Sequence, residues 1–122
     1  MTKKQKADWP PMVDAIVEGI REVKGRNIHI LDFRTLENAM CDFFVVCEGN
    51  STTQVQAIAH SIEDITRKKT GFKPHHTEGL GSSQWILMDY ADTLVHVFEP
   101  ETRTFYDVEG LWSDAPSVYM EQ

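Results

Sequence analysis

Few residues in this chain have the types and spacing that chemistry requires. The segment Gly49-Asn50-Ser51 follows an apolar run and leads into a helical pattern, as a phosphate-binding loop does. Backbone N–H groups at a helix start attract anions. The lysine-bearing P-loop pattern and the G-x-G-x-x-G fingerprint are both missing, so the expected role is a helix cap. His75 and His76 are adjacent, and extended backbone would turn their rings to opposite faces. His29, His60 and His96 are scattered, and Cys41 and Cys47 lack C-x-x-C spacing, so no metal site is expected. Asp89 and Asp92 bracket a turn, where aspartate is common for its own local hydrogen bonding. His96, between Val95 and Val97, reads as a half-buried strand histidine. Neither a Ser-His-Asp nor a Cys-His grouping can be assembled from the spacing. The residues thus offer no catalytic group and no cofactor site.

Aromatic residues carry the stronger signal. Trp85, Tyr90, Phe98, Phe105, Tyr106 and Trp112 concentrate late in the chain. Trp and Tyr are enriched in protein interfaces, so Trp85 and Tyr90 suit either a core or a docking surface. Phe105 reads as core.

These residues must be held by elements that hydrophobic spacing outlines. Met12, Val13, Ile16, Val17, Ile20 and Val23 recur at helical spacing after Trp9-Pro10-Pro11, with proline in the first turn where its missing N–H costs least. Asn27 to Phe33 reads as a strand. Phe43-Phe44-Val45-Val46-Cys47 runs apolar without alternation, as a central strand covered on both faces does. Ser51-Thr52-Thr53-Gln54 matches a capping box, and Val55, Ile58, Ala59, Ile62 and Ile65 form the stripe of a second helix closed by Gly71. Strands are expected at 72–77, 84–90 and 93–98, the last two joined as a hairpin across Ala91-Asp92. Arg103 to Trp112 reads as a short helix with Phe105, Val108, Leu111 and Trp112 turned inward. The order α-β-β-α-β-β-β-α predicts one α/β or α+β domain, with a mixed sheet of about five strands flanked by helices. The domain is expected over 9–113, between a solvated N-terminal tail of residues 1–8 with Lys3, Lys4 and Lys6 and a patternless C-terminal tail, 114–122.

Composition narrows the classes. The 122 residues suffice for one domain, and the net charge of −7 counts against a general nucleic-acid coat, which draws on an excess of Lys and Arg. Two cysteines do not make a disulfide framework. No apolar stretch reaches the about 18 residues of a membrane helix, and neither a signal core nor an arginine-rich leader is visible. A bacterial cytoplasmic chain is the expectation.

Several blocks in order resemble one family. They are Asp42-Phe43-Phe44-Val45-Val46, Gly49-Asn50-Ser51, Glu78-Gly79, the run from Trp85 to Asp92 with Val95-His96-Val97-Phe98, Phe105-Tyr106-Asp107 and Leu111-Trp112. Together, from about Val13 to Trp112, they resemble the ribosomal silencing factor family, also called Iojap or RsfS. The resemblance implies a nucleotidyltransferase-like fold without the enzymatic activity. It implies binding to the large ribosomal subunit through its L-fourteen protein, with little direct rRNA contact, and a steric block to small-subunit joining when nutrients are scarce. An active relative of the fold would need a D-x-D pair on the strand after the Ser51 helix, and the expected strand 72–77 has no acid. The family's binding surface carries over to Trp85, Asp89, Tyr90, Asp92 and His96, while Asp42 and Asp107 match other family positions. A homodimer in the free state is also implied. Ala91 stands where the hairpin usually has glycine, and Gly110 where relatives tend to carry a charge. Two other readings stay open: a large-subunit assembly factor, and a residual nucleotide-binding enzyme using the start of the Ser51 helix.

Overall fold

The computed structural model describes residues 9–120; the expected N-terminal tail lies outside the described residues. Helix α1 spans Pro11–Glu22 and buries Val13, Ile16, Val17 and Ile20. Strand β1 (Arg26–Asp32) and strand β2 (Phe43–Glu48) follow, and every residue of β2 is buried. Helix α2 (Thr52–Thr70) begins at Ser51, whose Oγ accepts from the Gln54 N–H at 3.1 Å. The Gln54 side chain returns to the Asn50 N–H at 2.7 Å, one residue earlier than an ordinary capping box. The helix start is thus capped by side chains of its own sequence, as expected. Gly71 ends α2 at φ 82°, a left-handed position open to glycine without steric cost.

Strands β3 (His76–Glu78), β4 (Trp85–Asp89) and β5 (Thr93–Phe98) form a meander. Helix α3 (Pro100–Tyr106), a 3-10 turn at Gly110–Trp112 and strand β6 (Ser117–Met120) complete the chain. The sheet order is β3-β4-β5-β2-β1-β6. Only β2 and β5 run parallel; the other neighbours are antiparallel. The α+β class with a mixed sheet therefore holds, but the strands number six rather than five.

Three boundaries differ from expectation for local reasons. The third strand starts at His76 because Pro74 has no N–H to donate to a ladder. That shift places Glu78 on the strand, a single carboxylate that still makes no D-x-D pair. The last helix starts earlier, at Pro100, and stops at Asp107, which adopts φ 46°. Gly110 then donates its N–H to the Asp107 carbonyl and carboxylate, at 3.1 and 3.2 Å. Of the residues expected to face inward, Val108 is buried and Trp112 half-buried, but Phe105 and Leu111 are exposed. The segment from Ser113, patternless as sequence, supplies β6, which pairs with β1 from Ile28↔Met120 to Leu31↔Ser117. Four residues on one edge are too few for periodicity to register; the partner strand supplies the pairing.

Two apolar layers flank the sheet. Helices α1 and α2 cover one face over Ile28, Val45, Ile86, Met88, Val95 and Val97. The helices cross at Gly19, where an added Cβ would lie 2.7 Å from the Ile62 Cα. The second layer, around Leu31, Phe33, Phe44, Val46 and Phe98, is covered only by the 33–42 loop, Val108, Trp112 and Ala115. Over β4 and β5 this second face is partly open, with Trp85, Leu87, Asp89 and Leu94 half-buried and His96 and Phe98 buried, and the candidate site lies there.

Candidate docking face

Alternation along the hairpin sorts its side chains. Ile86, Met88, Val95 and Val97 point to the helices and are buried. Trp85, Leu87 and Asp89 therefore turn to the open face, and Leu94, His96 and Phe98 turn with them. The antiparallel register sets them in cross-strand pairs: Trp85↔Phe98, Leu87↔His96 and Asp89↔Leu94. Such opposed pairs are the unit of sheet stabilisation.

Trp85 lies half-buried on Phe98, with ring centroids 4.9 Å apart, and its indole N–H donates to His96 Nδ1 at 3.2 Å. His96 also packs on Phe44 at 4.5 Å and is 5% exposed. Burial disfavours the imidazolium and pushes the His96 pKa down to about 4, against the pull of the Glu109 carboxylate. His96 is therefore neutral near pH 7, with its proton on Nε2. That nitrogen is the one buried side-chain polar atom without a hydrogen-bond partner among the described residues.

The carboxylates sit at the rim. Asp89 Oδ1 accepts from the Ala91 N–H at 2.8 Å and holds the turn. The Asp92 carbonyl accepts from the Asp42 and Phe43 N–H groups at 2.8 and 3.2 Å. Asp42 and Asp92 thus meet through their backbones, and both side chains are exposed.

Of the five residues expected to form one surface, Trp85, Asp89 and His96 share the face, while Asp92 stands in the exposed turn at its end and also lines the cleft on the helix side. Tyr90 does not join them. It is 5% exposed in the helix-side core, where its hydroxyl pairs with Thr66 Oγ1 at 2.8 Å. Burial raises its pKa to about 12. Its ring borders a cleft of about 510 Å³ with Pro10, Phe72, Lys73 and His75. Strand alternation was the available signal: Tyr90 follows Asp89, so the two point to opposite sides.

Sequence reasoning missed Leu87 and Leu94 at the centre and Tyr106 beside Trp85, 5.0 Å between ring centroids. It also missed how unevenly charge is distributed. From Pro74 onward the chain has nine of its 19 acidic residues and one of its 12 basic ones. The exception, Arg103, is buried: it donates to Glu48 at 2.9 Å, to Glu109 at 2.7 Å and to the Asn27 carbonyl at 2.8 Å. Burial works against the guanidinium charge, yet the carboxylates hold its pKa above the ordinary value. Burial would likewise raise Glu109, but bonds from Arg103 and His29 bring it down to about 2. Among the described residues no cluster of three or more His, Cys, Asp or Glu could hold a metal ion, and no helix is long and apolar enough to cross a membrane.

The fold and this face define a small α+β domain that offers a partly open, aromatic sheet surface rimmed by carboxylates. Residues 6–122 match the family model described as ribosomal silencing factor during starvation. Over 110 residues the chain is 34% identical to ribosomal silencing factor RsfS of Halalkalibacterium halodurans, covering 90% of this chain and 92% of that one. It is 39% identical to RsfS of Bacillus subtilis over 76% of this chain and 77% of the other. A crystal structure of a protein from Chromobacterium violaceum superposes with a TM-score of 0.77 at 33% identity, covering 84% of this chain and 83% of that one. The chain belongs to the ribosomal silencing factor family.

Proposed function

We propose that this protein binds the large ribosomal subunit through its L-fourteen protein and sterically blocks joining of the small subunit, repressing translation under nutrient limitation. The observation that carries this reading is the open β4–β5 face. Its apolar centre, Trp85, Leu87 and Leu94, is flanked by Asp89 and Asp92 in the half of the chain that holds the net negative charge. Such a surface complements a basic ribosomal protein and is repelled by bare rRNA. A blocker acts by occupancy, and an interface of about 800 Å² per partner is of ordinary size for a specific complex. The names of the relatives, silencing factors of bacteria, support the same reading, as they do a cytoplasmic site of action.

The test is sucrose-gradient sedimentation with purified subunits. Co-sedimentation with large subunits, together with loss of joined ribosomes, is the expected result. Subunits that still join with the protein bound would move the function to large-subunit assembly. No co-sedimentation would overturn the docking reading itself.

A further inference from the structure

The aromatic side chains of the open face do not stop at its edge. Phe98 is buried, Trp85 stacks on it half-buried, Tyr106 lies 5.0 Å from Trp85, and Phe105 stands edge-on to Tyr106 at 4.9 Å. The strip therefore climbs from the core into solvent, where Tyr106 is 52% and Phe105 80% exposed. The setting of α3 explains why those rings stay out. Arg103 faces inward and is tied to Asn27, Glu48 and Glu109, so this seven-residue helix cannot roll to bury Phe105 without breaking a buried ion network. The rings are thus presented on a rigid element, and rigid aromatic anchors lose little entropy on binding.

Charge says what they are presented to. Glu99, Glu101 and Asp107 lie within two residues of the helix ends or inside it, and the one cation on the helix is the buried Arg103. Ring faces attract cations, and carboxylates nearby strengthen that attraction while repelling phosphates. We propose that Trp85, Tyr106 and Phe105 form the outer half of the docking surface, with Tyr106 and Phe105 stacking against arginine or lysine side chains of the basic ribosomal partner. This rests on the docking reading above and extends it onto α3.

The test titrates labelled full-length protein with purified large subunits at several salt concentrations. Two double variants are compared, Phe105→Ala/Tyr106→Ala and Phe105→Leu/Tyr106→Leu; both positions are exposed, and circular dichroism checks the fold. Loss of about tenfold in affinity in both variants is expected, since leucine keeps apolar area but offers no ring face to a cation. Wild-type affinity in the alanine variant would overturn the extension, while weakened binding by Asp89→Asn/Asp92→Asn in the same assay would show the docking reading intact. Wild-type affinity in the leucine variant alone would overturn the cation-stacking chemistry. Binding to protein-free large-subunit rRNA that the alanine variant loses would assign the strip to RNA instead. Self-association of the free protein that the alanine variant loses, with subunit binding unchanged, would assign it to a second copy. If the wild type binds no subunits, both readings fall together.

Discussion

The Trp85 indole N–H donates to His96 Nδ1 at 3.2 Å across the β4–β5 pair. This bond makes Nδ1 an acceptor, so the imidazole is neutral and its remaining proton sits on the unpartnered Nε2. A ring buried in that state resists protonation, which has a consequence for acid stability.

As pH falls below about 6.5, the unfolded chain protonates His96, but the folded chain does so only near 4. The unfolded state then binds more protons, so this contribution is full at neutral pH and is lost progressively between 6.5 and 4. Its size is about 3 kcal/mol. Urea midpoints at pH 7, 5.5 and 4 should fall in the wild type and fall less in His96→Phe. Parallel declines in the two proteins would remove His96 as the cause.

Arg103 lies between two carboxylates with little access to water, its side chain 8% exposed. Arg103→Leu leaves Glu48 and Glu109 without their cation, a change expected to cost about 3–5 kcal/mol. The loss should shrink when Glu48→Gln and Glu109→Gln are added, because the uncompensated charges are gone. Denaturant unfolding of the single and triple variants measures this, and equal stability of the two would contradict it.

Ala91 holds the hairpin turn at φ 77°, where a Cβ crowds the following carbonyl oxygen. Ala91→Gly removes that strain but gives the unfolded chain more freedom to lose on folding, for a net gain of about 0.5–1 kcal/mol. Thermal melting should show a higher Tm. A lower one would contradict backbone strain at this exposed position.

Asp89 and Asp92 flank the open face, and their charge is expected to act chiefly on the rate of encounter. Asp89→Asn/Asp92→Asn keeps the turn's hydrogen-bond acceptors and should slow association with large subunits by several-fold up to about tenfold at low salt. The difference should fade as salt rises. Stopped-flow association at two ionic strengths reads both effects, and a rate constant unchanged at low salt would count against the acidic rim.

Much of the fold is legible along the chain because helix and strand signals are local. The stripe Val55, Ile58, Ala59 and Ile62 is buried as its spacing predicts, and the uninterrupted 43–47 run becomes a strand buried throughout. Less of the face was legible. Its three shared residues, Trp85, Asp89 and His96, came with the family resemblance, whereas alternation alone would have set Tyr90 on the other side. Phe105 was misread because apolar character argues for burial only when the element is free to turn, and Arg103 holds α3 with Phe105 outward.

The amino-acid sequence by itself determined the amphipathic helices, the capped start at Ser51 and the hairpin at Ala91-Asp92, since each depends on residues within a few positions of one another, and the acidic balance, which is a sum over the chain whatever its fold. Tertiary structure alone decided that Ser117–Met120 joins β1, that Arg103 neutralises carboxylates 55 and six residues away, and that Trp85 and Tyr106 meet in one strip. Those outcomes depend on which groups lose water together, and that is settled only when distant segments pack.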